Sequence, residues 1–272
     1  MITLGITMGD PLGIGAEVIQ KALPKFRDRA HFKVFGDPKL LPQLKDSEII
    51  PVSIPKESAN YSPASAGRAS VSFLDAAMEA WRRREIHGLV TAPISKAHVK
   101  LAGFPFPGHT EYLADKTATK KFAMLMAGPV LRVTLVTIHE PLQKVSSLLN
   151  QQRIIDTLEI THRGLKEKFR IAQPRIAVCG LNPHAGEEGH LGGEEISIIA
   201  PAIEEARRQG YSCEGPKVPD AVFHEALDVL FSNATDAILV VKWKELYDKI
   251  EDAIDQCEDV GNVLQSISIK NA

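Results

Sequence analysis

Two observations predict an α/β fold with a largely parallel sheet. Apolar, β-branched runs of strand length alternate along the chain with segments of helical period. The chain's 272 residues are 44% hydrophobic and 24% charged, enough apolar material for a sizeable core in one large or two medium domains.

Taken in order, Ile2 to Met8 reads as a buried strand, and Gly13 to Phe26 as a helix entered through a glycine-rich turn. Phe32 to Phe35 and Ile49 to Ile54 read as short strands. Ser65 to Arg84 reads as a long helix, because Val71, Leu74, Ala77, Met78 and Trp81 recur at helical spacing. Gly88 to Ala92 is another strand. Lys121 to Ala127 and Leu131 to Ile138 flank Gly128-Pro129 and read as a hairpin. Gln152 to Phe169 is helical, Arg175 to Leu181 a strand, Glu194 to Gln209 helical and Asp236 to Val241 a last strand.

Composition excludes several classes. No apolar run approaches the length of a membrane span, and Met1 to Ile6 has no basic leader and reads as a strand. A net charge of −2 offers no general field for nucleic acid or an anionic membrane, so neither is expected as a partner. Cys179, Cys213 and Cys257 are odd in number and widely spaced, which argues against a disulfide framework and for the cytoplasm.

Residues 242–272 differ from the rest. They carry seven acids and four lysines, a net of −3, which leaves about +1 for residues 1–241. Trp243, Leu246, Tyr247, Ile250, Ala253, Ile254, Cys257, Val260, Gly261 and Leu264 form one stripe at helical spacing, opposite an acidic face.

Four constellations could carry chemistry. In Gly9-Asp10-Pro11-Leu12-Gly13-Ile14-Gly15, Gly13 and Gly15 let the backbone approach a ligand at a helix N-terminus, with Asp10 beside them; a plain tight turn accounts for them equally. In Thr91-Ala92-Pro93-Ile94-Ser95-Lys96, at a strand C-terminus, either Lys96 meets an anion or Ser95 caps a helix and Lys96 is solvated. In Gly108-His109-Thr110-Glu111, His109 or Thr110 caps the following helix or binds an anionic ligand. His139 and His184 each follow what reads as a buried strand. From adjacent strand ends, two neutral imidazoles could converge on zinc, cobalt or manganese, although two ligands make no tight site. Glu187 and His190 are weaker candidates near them, and His31, His87, His98, His162 and His224 receive no role.

The segments GITMGDPLGIGAE, LVTAPISK, PGHTEYLA, TIHEPL and CGLNPHAGEEGHLGGEE stand in the order and spacing of one family. Over about residues 1–240 the chain closely resembles the PdxA family, the 4-hydroxythreonine-4-phosphate dehydrogenases of vitamin B6 biosynthesis. The resemblance implies a two-domain α/β/α fold like that of isocitrate and isopropylmalate dehydrogenases, with the active site between domains at a homodimer interface. It implies oxidation of a phosphorylated hydroxy acid by NAD or NADP, then decarboxylation. A divalent metal (Zn, Mn, Co or Mg) acts there as Lewis acid and template. By motif match His139 and His184 are metal ligands, and His109 and Thr110 bind substrate. Asp10, Gly13 and Gly15 line the cleft, and no proton-transfer residue is assigned. Relatives acting on four-carbon sugar-acid phosphates, and a non-catalytic dimeric scaffold that binds metal or phosphate, are the alternatives.

After NATDAIL the chain departs from the family, which continues with a Tyr-His-Asp-Gln-Gly segment holding a third metal histidine and, later, a phosphate-binding lysine, asparagine and arginine. Here Val240-Val241 leads instead into KWKELYDKIEDAIDQCEDVGNVL, which resembles the last helix of PhoU-related DUF47 proteins. That resemblance implies metal-binding carboxylate pairs at Glu251/Asp255 and Asp255/Asp259; a solvated acidic face is the other reading. The expected organisation is a first α/β domain over 1–125, a second carrying the histidine loops over 126–240, and an amphipathic acidic helix over 241–272. Impaired turnover is expected from the replaced segment.

Overall fold

The computed structural model describes residues 1–54, 60–128 and 131–233. The chain divides between Lys120 and Lys121 into two compact units. The expected strand at Asp236–Val241, the acidic helix and its stripe, and Cys257 lie outside the described residues.

The first unit contains strands β1 (Thr3–Thr7), β2 (His31–Gly36), β3 (Ile49–Pro51) and β4 (Gly88–Thr91), and helices α1 (Gly15–Ala22), α2 (Pro63–Arg82), α3 (Lys96–Leu101) and α4 (His109–Lys116). The four strands form one parallel sheet in the order β3-β2-β1-β4. α1 continues into a 3₁₀ turn at Leu23–Phe26, so the helix expected over residues 13–26 is present in two pieces. β3 stops at Pro51, short of Ile54, and its last bond to β2 is the Val52 N–H donating to the Gly36 carbonyl at 3.2 Å.

α2 starts where the sequence supplies a reciprocal cap. Ser62 Oγ accepts from the Ser65 N–H, Ser65 Oγ accepts from the Ser62 N–H, and Pro63 takes the first helical position. Ala69, Phe73, Ala77 and Ala80 then face Ile6, Met8, Val34, Phe35 and Ile49 in the core. Phe73 is fully buried, a contribution of roughly 1.5–3 kcal/mol. Leu74 and Met78 turn instead toward Tyr112, Phe104 and Phe106.

Small residues let α2 approach α3 closely. A Cβ on Gly67 would lie 1.9 Å from the His98 carbonyl oxygen, a backbone atom that cannot swing aside. Gly67→Ala is therefore expected to cost about 1–3 kcal/mol by forcing the two helices apart. Denaturant melts of the variant check this; an unchanged midpoint would show that α3 yields freely.

The second unit contains the antiparallel pair β5 (Met124–Ala127) and β6 (Arg132–Leu135), helices α5 (Leu142–Leu148) and α6 (Gln151–Glu167), the parallel pair β7 (Ile176–Cys179) and β8 (Cys213–Lys217), and helices α7 (Ala200–Arg208) and α8 (Pro219–Asn233). The hairpin is as expected. Asn150 caps α6 by accepting from the Arg153 N–H. Ile154, Ile155 and Leu158 of α6 pack with Ala202, Ile203 and Ala206 of α7, and Val136, Ile176 and Val178 cover the same cluster.

The helix expected over 194–209 is not α-helical throughout. Glu195–Ile199 forms a π turn, with the Ala200 N–H donating to the Glu195 carbonyl, and α7 follows. Pro201 has no N–H for the Ser197 carbonyl, and a ring there clashes with a regular α turn, so the backbone widens.

Candidate functional site

β1 and β4 are neighbours, with Thr7 opposite Thr91, so their C-terminal ends bring the glycine-rich turn beside the Thr91–Lys96 segment. This is the edge of a parallel sheet at which ligands bind. The Asp10 N–H donates to the Pro93 carbonyl at 3.0 Å and ties the segments together. Gly9 has φ +76°, and a Cβ there would lie 2.3 Å from the Pro93 oxygen. A Cβ on Gly15 would lie 2.1 Å from the Met8 oxygen, so only glycine lets α1 pack onto the end of β1. Gly13 donates its N–H to the Asp10 carbonyl. No side chain caps α1.

Asp10 is 3% exposed. Its Oδ1 accepts from the Leu12 N–H at 2.8 Å, and its Oδ2 lies 2.6 Å from His98 Nδ1. His98, which received no role from the sequence, therefore orients its imidazole on a buried carboxylate. Ser95 does cap α3, accepting from the His98 N–H. Lys96 is exposed at the first position of that helix. A cation there opposes the helix dipole, which makes an anion beside it favourable to both.

α4 begins at His109, but its N-cap is Gly108 and no side chain caps it. Neither His109 nor Thr110 thus serves the capping role that was one of their two readings. Among the described residues, His109 Nε2 is buried and has no hydrogen-bond partner. Burial holds the His109 imidazole below its ordinary pKa, so it stays neutral near pH 7. The unfolded chain takes up this proton more readily, so the contribution is present above the unfolded value of 6.5 and is lost as pH falls through the lower folded value. His109→Gln is expected to flatten the decline in melting temperature between neutral and mildly acidic pH. An unchanged profile would mean that His109 titrates alike in both states.

In the second unit, among the described residues, β6 pairs with β5 and β7 with β8, and both β6 and β7 are only partly buried. The strands that precede His139 and His184 are thus less buried than the sequence suggests. A common core beneath Val136, Ile176 and Val178 relates the two strands. His139 is exposed with φ +56°, in the left-handed region that costs a non-glycine residue about 1–3 kcal/mol. Ala185, Gly186, Glu187 and Glu188 are all left-handed too. Such strain collects at functional sites.

The His184 loop is tied internally. Asn182 Oδ1 accepts from the N–H groups of His184 and Gly186 at 3.0 and 3.1 Å, while Asn182 Nδ2 donates to the Leu191 carbonyl. Glu187 Oε1 lies 3.9 Å from His184 Nδ1. His190 is exposed at the end of the short Glu187–Gly189 turn. Two imidazoles are suitable donors for a borderline divalent metal. Among the described residues, however, no cluster of three or more His, Cys, Asp or Glu is arranged to hold an ion. The donor chemistry fits, but the donor number is short.

Sequence reasoning missed two residues. His98 lies 88 positions from Asp10, and only the fold joins them. Glu195 is 4% exposed, and its spacing to Ile199, Ala202, Ile203 and Ala206 places a carboxylate on the apolar stripe of its own helix. A charge on that stripe was the available signal.

Comparison with known proteins matches residues 12–241 to the family model described as pyridoxal phosphate biosynthetic protein PdxA. A 4-hydroxythreonine-4-phosphate dehydrogenase of Desulforapulum autotrophicum is 40% identical over 256 residues, covering 84% of this chain and 75% of that protein. The enzyme of that name from Caulobacter vibrioides is 41% identical, covering 81% and 75%. The crystal structure of 4-hydroxythreonine-4-phosphate dehydrogenase from Klebsiella pneumoniae superposes with a TM-score of 0.73 at 31% identity, covering 83% of this chain and 78% of that one. With its parallel sheet, its glycine-rich turn and a match over most of its length, the chain belongs to the PdxA family.

Proposed function

We propose that this chain is an NAD(P)-dependent dehydrogenase of a phosphorylated hydroxy acid, with 4-hydroxythreonine-4-phosphate as the substrate. The observation that carries this reading is identity near 40% with dehydrogenases of that name across more than four fifths of the chain. The geometry supports it in each unit. In the first, the buried, partnerless Nε2 of a neutral His109 is ready for a polar ligand, with Thr110 next to it. Asp10, Gly13, Gly15 and Lys96 gather at one sheet edge, where the phosphorylated or nucleotide part of a ligand finds backbone N–H groups and a cation.

In the second unit, His139 and His184 are the ligands this chain offers a divalent metal, with Glu187 beside His184. Such an ion supplies Lewis acidity at an alcohol or carbonyl oxygen. A further ligand has to come from outside the described residues, a solvent molecule or a partner subunit. The working form is a homodimer in the cytoplasm; among the described residues no helix is long and apolar enough to cross a membrane. The first domain corresponds to the unit ending at Lys120 and the second to the unit that begins at Lys121, since β5 pairs with β6 of the second unit, while residues 241–272 lie outside the described residues.

The test is reduction of NAD and of NADP, in the presence of manganese or zinc, on three substrates: 4-hydroxythreonine-4-phosphate, its unphosphorylated form and a four-carbon sugar-acid phosphate. Activity confined to the first supports the proposal. Preference for the third assigns the chain to the sugar-acid relatives, and inertness toward all three with metal binding intact favours a binding scaffold.

A further inference from the structure

We propose that Glu195 is a positioning residue for His184: its carboxylate spans the neck of the loop that carries the histidine. This rests on the reading of His184 as a ligand. Glu195 is almost wholly buried, where a polar side chain is costly unless it is hydrogen-bonded. Its Oε1 accepts from the Leu181 N–H at 2.7 Å, on the incoming side of the loop. Its Oε2 has no hydrogen-bond partner among the described residues and abuts the outgoing side, where a Cβ on Gly186 would lie 2.5 Å from it. Gly180 is also near, with a Cβ there 3.1 Å from Oε1.

One carboxylate thus touches both ends of the segment from Gly180 to Gly186, and His184 sits between them. Asn182 fixes the loop from within through the His184 and Gly186 N–H groups, and Glu195 fixes its ends against the π turn. The widened turn at Glu195–Ile199 holds Glu195 at that point, and the left-handed run from Ala185 to Glu188 needs such an anchor to persist. A strained loop held at both ends presents its histidine in one orientation before any ligand arrives. Groups that orient a ligand this way are typically worth about 10–100-fold in metal affinity.

The test uses the full chain with Glu195→Ala, Glu195→Asp and Glu195→Gln. Amide hydrogen exchange is measured without metal over 181–191, with α7 as internal reference, and zinc affinity by calorimetry beside His184→Ala. In Glu195→Ala and Glu195→Asp, loop exchange is expected to rise at least about 10-fold with α7 unchanged, and zinc affinity to fall about 10–100-fold. Glu195→Asp keeps the charge but is one methylene too short. Glu195→Gln keeps an oxygen for the Leu181 N–H and is expected to restore most of both. Loop exchange that stays unchanged, or that rises equally in α7, overturns the proposal. So does zinc affinity preserved in Glu195→Ala while His184→Ala loses it. Full zinc affinity in His184→Ala removes the ligand reading alone, and the metal-free exchange then still decides whether Glu195 holds the loop. If Glu195→Ala does not fold, the contrast between Asp and Gln decides the matter.

Discussion

Turnover of this chain on 4-hydroxythreonine-4-phosphate is expected at least about 100-fold below that of a relative that follows the family pattern throughout. The family match ends at residue 241, and residues 242–272 diverge from the segment that, in the resemblance drawn from the sequence, carries a third metal histidine and the phosphate-binding residues. Loss of those contacts removes the binding energy that holds the alcohol in line for hydride transfer, and misplacement by about 1 Å costs about 100-fold. Grafting a family C-terminal segment after Leu239 is expected to recover the rate. The check is kcat/KM for chain and graft under one metal and one dinucleotide. Family-level turnover in the unmodified chain would show that the divergent segment is dispensable.

His184→Ala is expected to weaken zinc binding at least about 10-fold, the lower bound for losing even an outer-shell partner of a metal. Under the proposed ligation by His139 and His184, loss of one imidazole leaves a single strong donor, and the described residues supply no three-donor cluster to compensate. His139→Ala is expected to do the same, and the double variant to lose little more than either alone, because a pair acting on one ion is not additive. Calorimetry on the three variants checks this. Two independent, additive losses would mean that the histidines bind separate ions.

The parts of the fold that were legible follow from strong local rules. α2 and α6 carry long apolar stripes, and β1, β2 and β4 are short runs containing β-branched or aromatic residues that reach Gly9, Gly36 and Pro93 at or just past their ends. Among the elements the sequence did not reveal, β8 contains Gly215-Pro216, α5 has only seven residues, and the longer α8 (Pro219–Asn233) was also not read. The π turn escaped notice because the apolar period continues through it, and only Pro201 marked the interruption. The glycine turn read in two ways, and the close approaches at Gly9 and Gly15 show that packing demands those two glycines whatever binds there.

Candidate site residues stand out where a motif names them, and residues whose partners lie far along the chain do not. Asp10 was singled out while its partner His98 was not, since nothing local pairs residues 88 apart. His184 was singled out while Glu195, beneath its loop, read as one more helical glutamate.

The most direct test of the central claim measures NAD(P)H and carbon dioxide together from one sample of this chain with 4-hydroxythreonine-4-phosphate and manganese, at high enzyme concentration to offset slow turnover. An oxidation followed by decarboxylation predicts the two products in equal amounts, both abolished when the phosphorylated substrate is replaced by its unphosphorylated form. NAD(P)H without carbon dioxide, or neither product from the chain or from its graft, would contradict it.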